Sequence, residues 1–164
     1  MPFNVRTVNG EVFATTAMAY LISGNHAALE GPLSETFLNA IRLRWSAQLG
    51  PEASVTEIAE LFRQYDTEAL VGVTNTIKGK MFELMVEEAE NNDGDDWYAT
   101  LNTDESHPGT DIIFTNSETG ETAEVSLKAV SAQNSDLIES AIRKYPDAPI
   151  VSTDEVAALF ADAN

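Results

Sequence analysis

The sequence predicts an α+β protein: helices through its first half, then a small sheet flanked by helices in its second. Three observations carry this reading. From Val12 to Glu90 apolar residues recur at the three- and four-residue spacing of buried helix faces. From Trp97 three short runs follow one another, and a glycine-bearing turn, "SETGET", joins the second to the third. A further helical stretch then separates the third run from a last short one, Ile150-Val151.

Val12 to Ile22 reads as a first helix, stopped by Ser23-Gly24-Asn25. Pro32 and Ser34 open a second, whose stripe is Phe37, Ile41 and Trp45; Gly50-Pro51 ends it. Ser54 and Glu57 have capping-box spacing for a third, with Ile58, Leu61, Phe62 and Tyr65 on its apolar face. A fourth runs from about Asn75 to Glu90, with Met81, Phe82, Met85 and Ala89 on its core side. "NNDGDDW" turns the chain. Strands follow at Trp97 to Leu101, Asp111 to Thr115 and Thr122 to Val130. Ser135 to Tyr145 is a helix, "YPDAP" breaks it, and Ile150-Val151 is a strand. Ser152 and Glu155 cap a last helix bearing Val156, Leu159 and Phe160. Strands so close in sequence pair as an antiparallel meander, and a strand reached through a helix joins parallel to one of them. The expected organisation is a helical region over 1–75 and a mixed α/β core over 76–164.

The 164 residues suffice for one domain, or a domain with an appendage. With 43% hydrophobic residues a wholly disordered chain is excluded. There is no cysteine, which excludes disulfides and thiolate metal sites and fits a reducing, cytoplasmic setting. Val12 to Ile22 is too short to span a bilayer, and no membrane association is expected. The 27 Asp and Glu against nine Lys and Arg give a formal charge of −18. Such a surface repels bare nucleic acid at long range. It fits solubility in salt, a protein partner with a basic surface, or mimicry of a nucleic acid.

The third strand concentrates the chemistry. Glu124, Ser126 and Lys128 fall on one face and Val125, Leu127 and Ala129 on the other. Lys128 has apolar neighbours, and a partly buried ammonium needs a partner. Asp111 opens the preceding strand and is the natural candidate, while Glu83 on the fourth helix could reach the same place. Carboxylates gathered in this way attract a hard divalent cation such as magnesium. A lysine beside it can hold a metal-bound water.

"GTDIIF…EVSLKA", preceded by "KGKMFELM", resembles the PD-(D/E)xK nuclease superfamily. The resemblance covers about Thr76 to Val151. It implies a restriction-endonuclease-like core of helix, three antiparallel strands, helix and strand, and metal-dependent phosphodiester hydrolysis of DNA or RNA. Carried over, Asp111 takes the aspartate position, Lys128 the lysine and Glu83 the helix glutamate used by some members. Asp111, Glu83 and Glu124 would hold Mg or Mn, and Lys128 would position the attacking water. Lys80 and Ser126 are the candidate substrate contacts. One position departs from the pattern: two residues before the lysine stands Ser126, not an acid or glutamine. The alternative is therefore a nuclease-like domain without catalysis that binds a protein partner with a basic surface.

Other groups have plainer readings. Lys78 and Lys80 could touch phosphate or pair with Glu83 and Glu87. Arg42, Arg44 and Arg63 could contact nucleic acid or serve as surface charges, and His107 reads as a loop residue. "ENNDGDDW" invites a calcium loop, but the ligand spacing of an EF-hand is not met.

Overall fold

A computed structural model describes residues 8–103, 109–128, 136–144 and 149–152, with side chains in the first helix described from residue 13. The expected last helix, the end of the third strand at 129–130, His107, and the termini of the helix at Ser135 and Tyr145 lie outside these residues. The elements are α1 (Val8–Ser23), a 3₁₀ turn (His26–Ala28), α2 (Pro32–Arg44), α3 (Val55–Arg63), α4 (Thr67–Asn91), β1 (Trp97–Leu101), β2 (Ile112–Asn116), β3 (Thr122–Lys128), α5 (Asp136–Lys144) and β4 (Ile150–Ser152). They form two compact units that divide at Met81/Phe82, inside α4.

In the helical unit, α1 packs on α2 and α3. Ala14, Ala17 and Leu21 of α1, Phe37 and Ile41 of α2, and Ile58 and Phe62 of α3 are buried. The stop after α1 is Gly24, at φ +81°, a left-handed conformation that a glycine adopts without strain. Helix α2 ends at Arg44, before the expected Gly50-Pro51, because the chain tightens into a turn in which Gln48 and Leu49 donate to the Trp45 carbonyl. The Trp45 ring meets Phe62 edge-on at 5.1 Å between centroids. Arg42 ties α2 to the segment before α3: its Nε donates to the Ala53 carbonyl at 3.0 Å and its Nη1 to Glu35 and Asn39. Arg42 is thus a brace inside the helical unit, a role that neither expectation, nucleic-acid contact or surface charge, includes. The capping box at α3 forms as expected, Ser54 N donating to Glu57 Oε2 at 2.8 Å and Glu57 N to Ser54 Oγ at 3.3 Å.

Helix α4 spans 25 residues and starts at Thr67, well before the expected Asn75. Its start is set by Asp66, whose Oδ1 accepts the Ala69 N–H at 2.8 Å. Gly72 lies inside this extended helix, where a glycine costs only about 0.5–1 kcal/mol relative to alanine. The buried stripe in the second half of α4 also differs. Phe82, Val86 and Glu90 are buried, whereas Met85 and Ala89 are half-buried.

The sheet is mixed, in the order β1-β2-β3-β4. β1/β2 and β2/β3 pair antiparallel, with Ile113 opposite both Thr100 and Glu124; β4 pairs parallel to β3, with Ser126 opposite Ile150. The β2–β3 turn is closed by Asn116, whose Oδ1 accepts the N–H groups of Glu118 and Thr119, and by Gly120 at φ +72°. One sheet face is apolar. Ile112, Phe114, Val125, Leu127 and Ala99 form a core with Phe82 and Val86 of α4.

β1 is an edge strand, whose outward backbone groups would otherwise need water or another chain. Helix α4 supplies the partners. Asn91 Oδ1 accepts from Ala99 N at 2.7 Å and its Nδ2 donates to the Ala99 carbonyl at 3.0 Å. One turn earlier, Glu87 Oε1 accepts from Leu101 N at 3.0 Å. No described helix is long and apolar enough to cross a membrane.

Candidate active site

The second sheet face carries Glu124, Ser126 and Lys128, as their alternation with buried Val125 and Leu127 requires. Asp111 stands just ahead of β2, where the regular ladder ends. Its backbone N–H still donates to the Val125 carbonyl at 3.0 Å, and its carbonyl accepts from Asn102 at 2.9 Å. The next β3 amide, that of Leu127, meets the Asp111 side chain instead of a backbone carbonyl: Leu127 N donates to Oδ2 at 2.7 Å. The same oxygen accepts from Ser126 Oγ at 3.0 Å and from Lys128 Nζ at 3.2 Å.

One aspartate thus gathers an amide, a hydroxyl and an ammonium at the open end of a strand pair. Lys128 also donates to its neighbour's carbonyl, that of Leu127, at 3.2 Å. The lysine and aspartate side chains are 34% and 27% exposed, so solvent and a small ligand reach them. Ser126, by contrast, is buried. Its hydroxyl gives Asp111 Oδ2 a donor beside the Leu127 amide.

Glu124 lies exposed on the same face, one strand repeat from Ser126, about 6.6–6.8 Å along the chain. Its Oε2 accepts from Thr110 Oγ1 at 3.0 Å, which brings it beside the residue preceding Asp111. Glu83 is half-buried on α4 next to Phe82, on the helix that covers the opposite, apolar face. Lys78 and Lys80 are half-buried on α4, in its portion within the helical unit.

A tighter gathering of carboxylates lies elsewhere. Among the described residues, Glu90, Asp93 and Asp95 bring ligand oxygens within 4.8 Å of one another; Glu83, Asp111 and Glu124 form no such group. Glu90 continues the Phe82–Val86 stripe by one turn and is 1% exposed. Burial, and then the charges of Asp93 and Asp95, raise its carboxyl above the usual carboxylate range. In the sequence this segment shows only as an acidic run without EF-hand spacing. The signal it held was an acid four residues beyond Val86, on the apolar stripe.

No family model, curated protein or solved structure matches this chain.

Proposed function

We propose that the sheet-bearing unit is a PD-(D/E)xK-like nuclease core that hydrolyses phosphodiester bonds of DNA or RNA, with its centre at Asp111 and Lys128. The observation that carries this reading is the convergence of Ser126 Oγ and Lys128 Nζ on Asp111 Oδ2. The element order, from the second half of α4 through three antiparallel strands, a helix and a parallel strand, supports it as well.

The donor set suits magnesium or manganese in kind. Asp111 and Glu124 are hard oxygen ligands on one side of the sheet, and magnesium commonly uses one or two carboxylates, its own waters and substrate phosphate oxygens. Glu124 is the better second carboxylate, because Glu83 belongs to the helix on the other face. The chemistry such an ion supplies is stabilisation of charge on a phosphate oxygen. Lys128, half-buried and held by Asp111, is fixed to orient a water or meet that oxygen. A chain of charge −18 approaches a polyanion slowly unless salt or a basic partner screens it.

A second reading is favoured by one specific observation. Asp111 Oδ2 already accepts three donors, and Lys128 balances its charge, with neutral Ser126 where a second acid would stand. A core so arranged can persist as a catalytically silent module that binds a basic protein surface. The test is cleavage of labelled single- and double-stranded DNA and RNA by the full chain in MnCl2 and in MgCl2, beside Ser126→Glu. Cutting by the natural protein supports the nuclease reading. Cutting by Ser126→Glu alone supports the silent module.

A further inference from the structure

The turn from α4 into β1 holds an acid that the fold does not explain. Glu90 sits on the core stripe of α4, 1% exposed, and neither of its carboxylate oxygens accepts a hydrogen bond from the described residues. A buried carboxylate without donors is among the costliest arrangements a fold can keep. Its surroundings make the arrangement worse. Asp93 and Asp95 bring their oxygens within 4.8 Å of it. All three stand at or just past the C-terminus of α4, the negative end of its dipole, and the last turn contains no basic residue.

The turn itself aims the two aspartates. Asp93 Oδ1 accepts the Asp95 N–H at 3.1 Å, and Asp95 Oδ1 accepts the Trp97 N–H at 2.7 Å. Between them Gly94, at φ +84°, reverses the chain in the left-handed region. Asn91 and Glu87, on either side of Glu90 in sequence, fasten this end of the helix to β1. The carboxylates are therefore presented by a braced scaffold.

We propose that Glu90, Asp93 and Asp95 form a calcium site that locks the α4–β1 turn. Calcium is favoured over magnesium by the donor geometry. Both Glu90 oxygens are buried without donors, which leaves both open to a bidentate mode, common for calcium. Magnesium prefers single oxygens in a strict octahedron and retains its waters. The site is separate from Asp111 and Lys128 and does not depend on the nuclease reading.

The experiment is calorimetric titration of the full-length protein, stripped with EDTA, with CaCl2 and separately with MgCl2 at matched ionic strength, with melting temperature followed alongside. The expected result is one calcium per chain, a higher melting temperature in calcium than in magnesium, and affinity reduced at least about 10–100-fold by Glu90→Gln, since even the outer partners of metal ligands matter on that scale. Asp111→Asn should leave this binding intact. If Glu90→Gln fails to fold, the exposed pair Asp93→Asn and Asp95→Asn must produce the same loss. Equal calcium effects in the natural protein and in the Glu90, Asp93 and Asp95 variants would mean diffuse screening of an acidic surface and overturn the proposal. Magnesium binding to the Asp111→Asn variant as tightly as calcium does would overturn the assignment to calcium.

Discussion

Lys128 Nζ lies 3.2 Å from Asp111 Oδ2, and the amide of Leu127 meets the same oxygen at 2.7 Å. A side-chain carboxylate here closes the β2–β3 ladder and holds the lysine in place. The two tasks separate by substitution.

Asp111→Ala leaves the Leu127 amide and the Ser126 hydroxyl without their acceptor in a part-buried place, so it should destabilise by about 1–3 kcal/mol. Asp111→Asn retains an acceptor oxygen and loses only the charge. The Lys128 pair is about a third exposed, so that loss should stay below about 1 kcal/mol. Urea unfolding of both variants checks the order. Equal losses would mean that the charge, not the acceptor, matters.

Asn91→Ala should uncover the outer edge of β1. Both backbone groups of Ala99 lose their partner, at a cost of about 1–3 kcal/mol. Hydrogen exchange is the direct readout. The Ala99 amide should lose protection strongly, whereas the Leu127 amide, held by Asp111, should change only with global stability.

The capping box of α3 gives a pH dependence. The Ser54 backbone N–H, and then its hydroxyl, hold the Glu57 carboxyl below its ordinary 4.5. A carboxylate with a lowered native pKa stabilises above the unfolded value, and that contribution fades as pH falls through the native one. The stability difference between natural protein and Glu57→Gln should therefore be full near neutral pH and shrink below about pH 4.5. Denaturation at several pH values reads it. A difference constant with pH would deny Glu57 its charged role.

The sheet was legible because period-two alternation and one turn settle it. "SETGET" brings Thr122 opposite Thr115, and that register sets Asp111 against Ser126 and Lys128. The start of α4 was not legible, since Gly72 masks a helix that the Asp66 cap initiates. Its buried stripe shifted for a related reason. Met85 and Ala89 are as apolar as Val86, so only packing against the sheet decides that Val86 and Glu90 turn inward. That shift concealed Glu90, because an acid one position off the expected stripe looks like an exposed one.

The most direct test of the central claim is the single-turnover rate of nucleic-acid cleavage in manganese for the natural protein and Lys128→Ala, with circular dichroism confirming that both are folded. The natural protein should cut, at a rate that falls by about 10²–10³-fold without the lysine, the scale of losing one positioned charge contact in the transition state. Equal rates in the two proteins, or no cleavage of any substrate by the natural one, would contradict that claim.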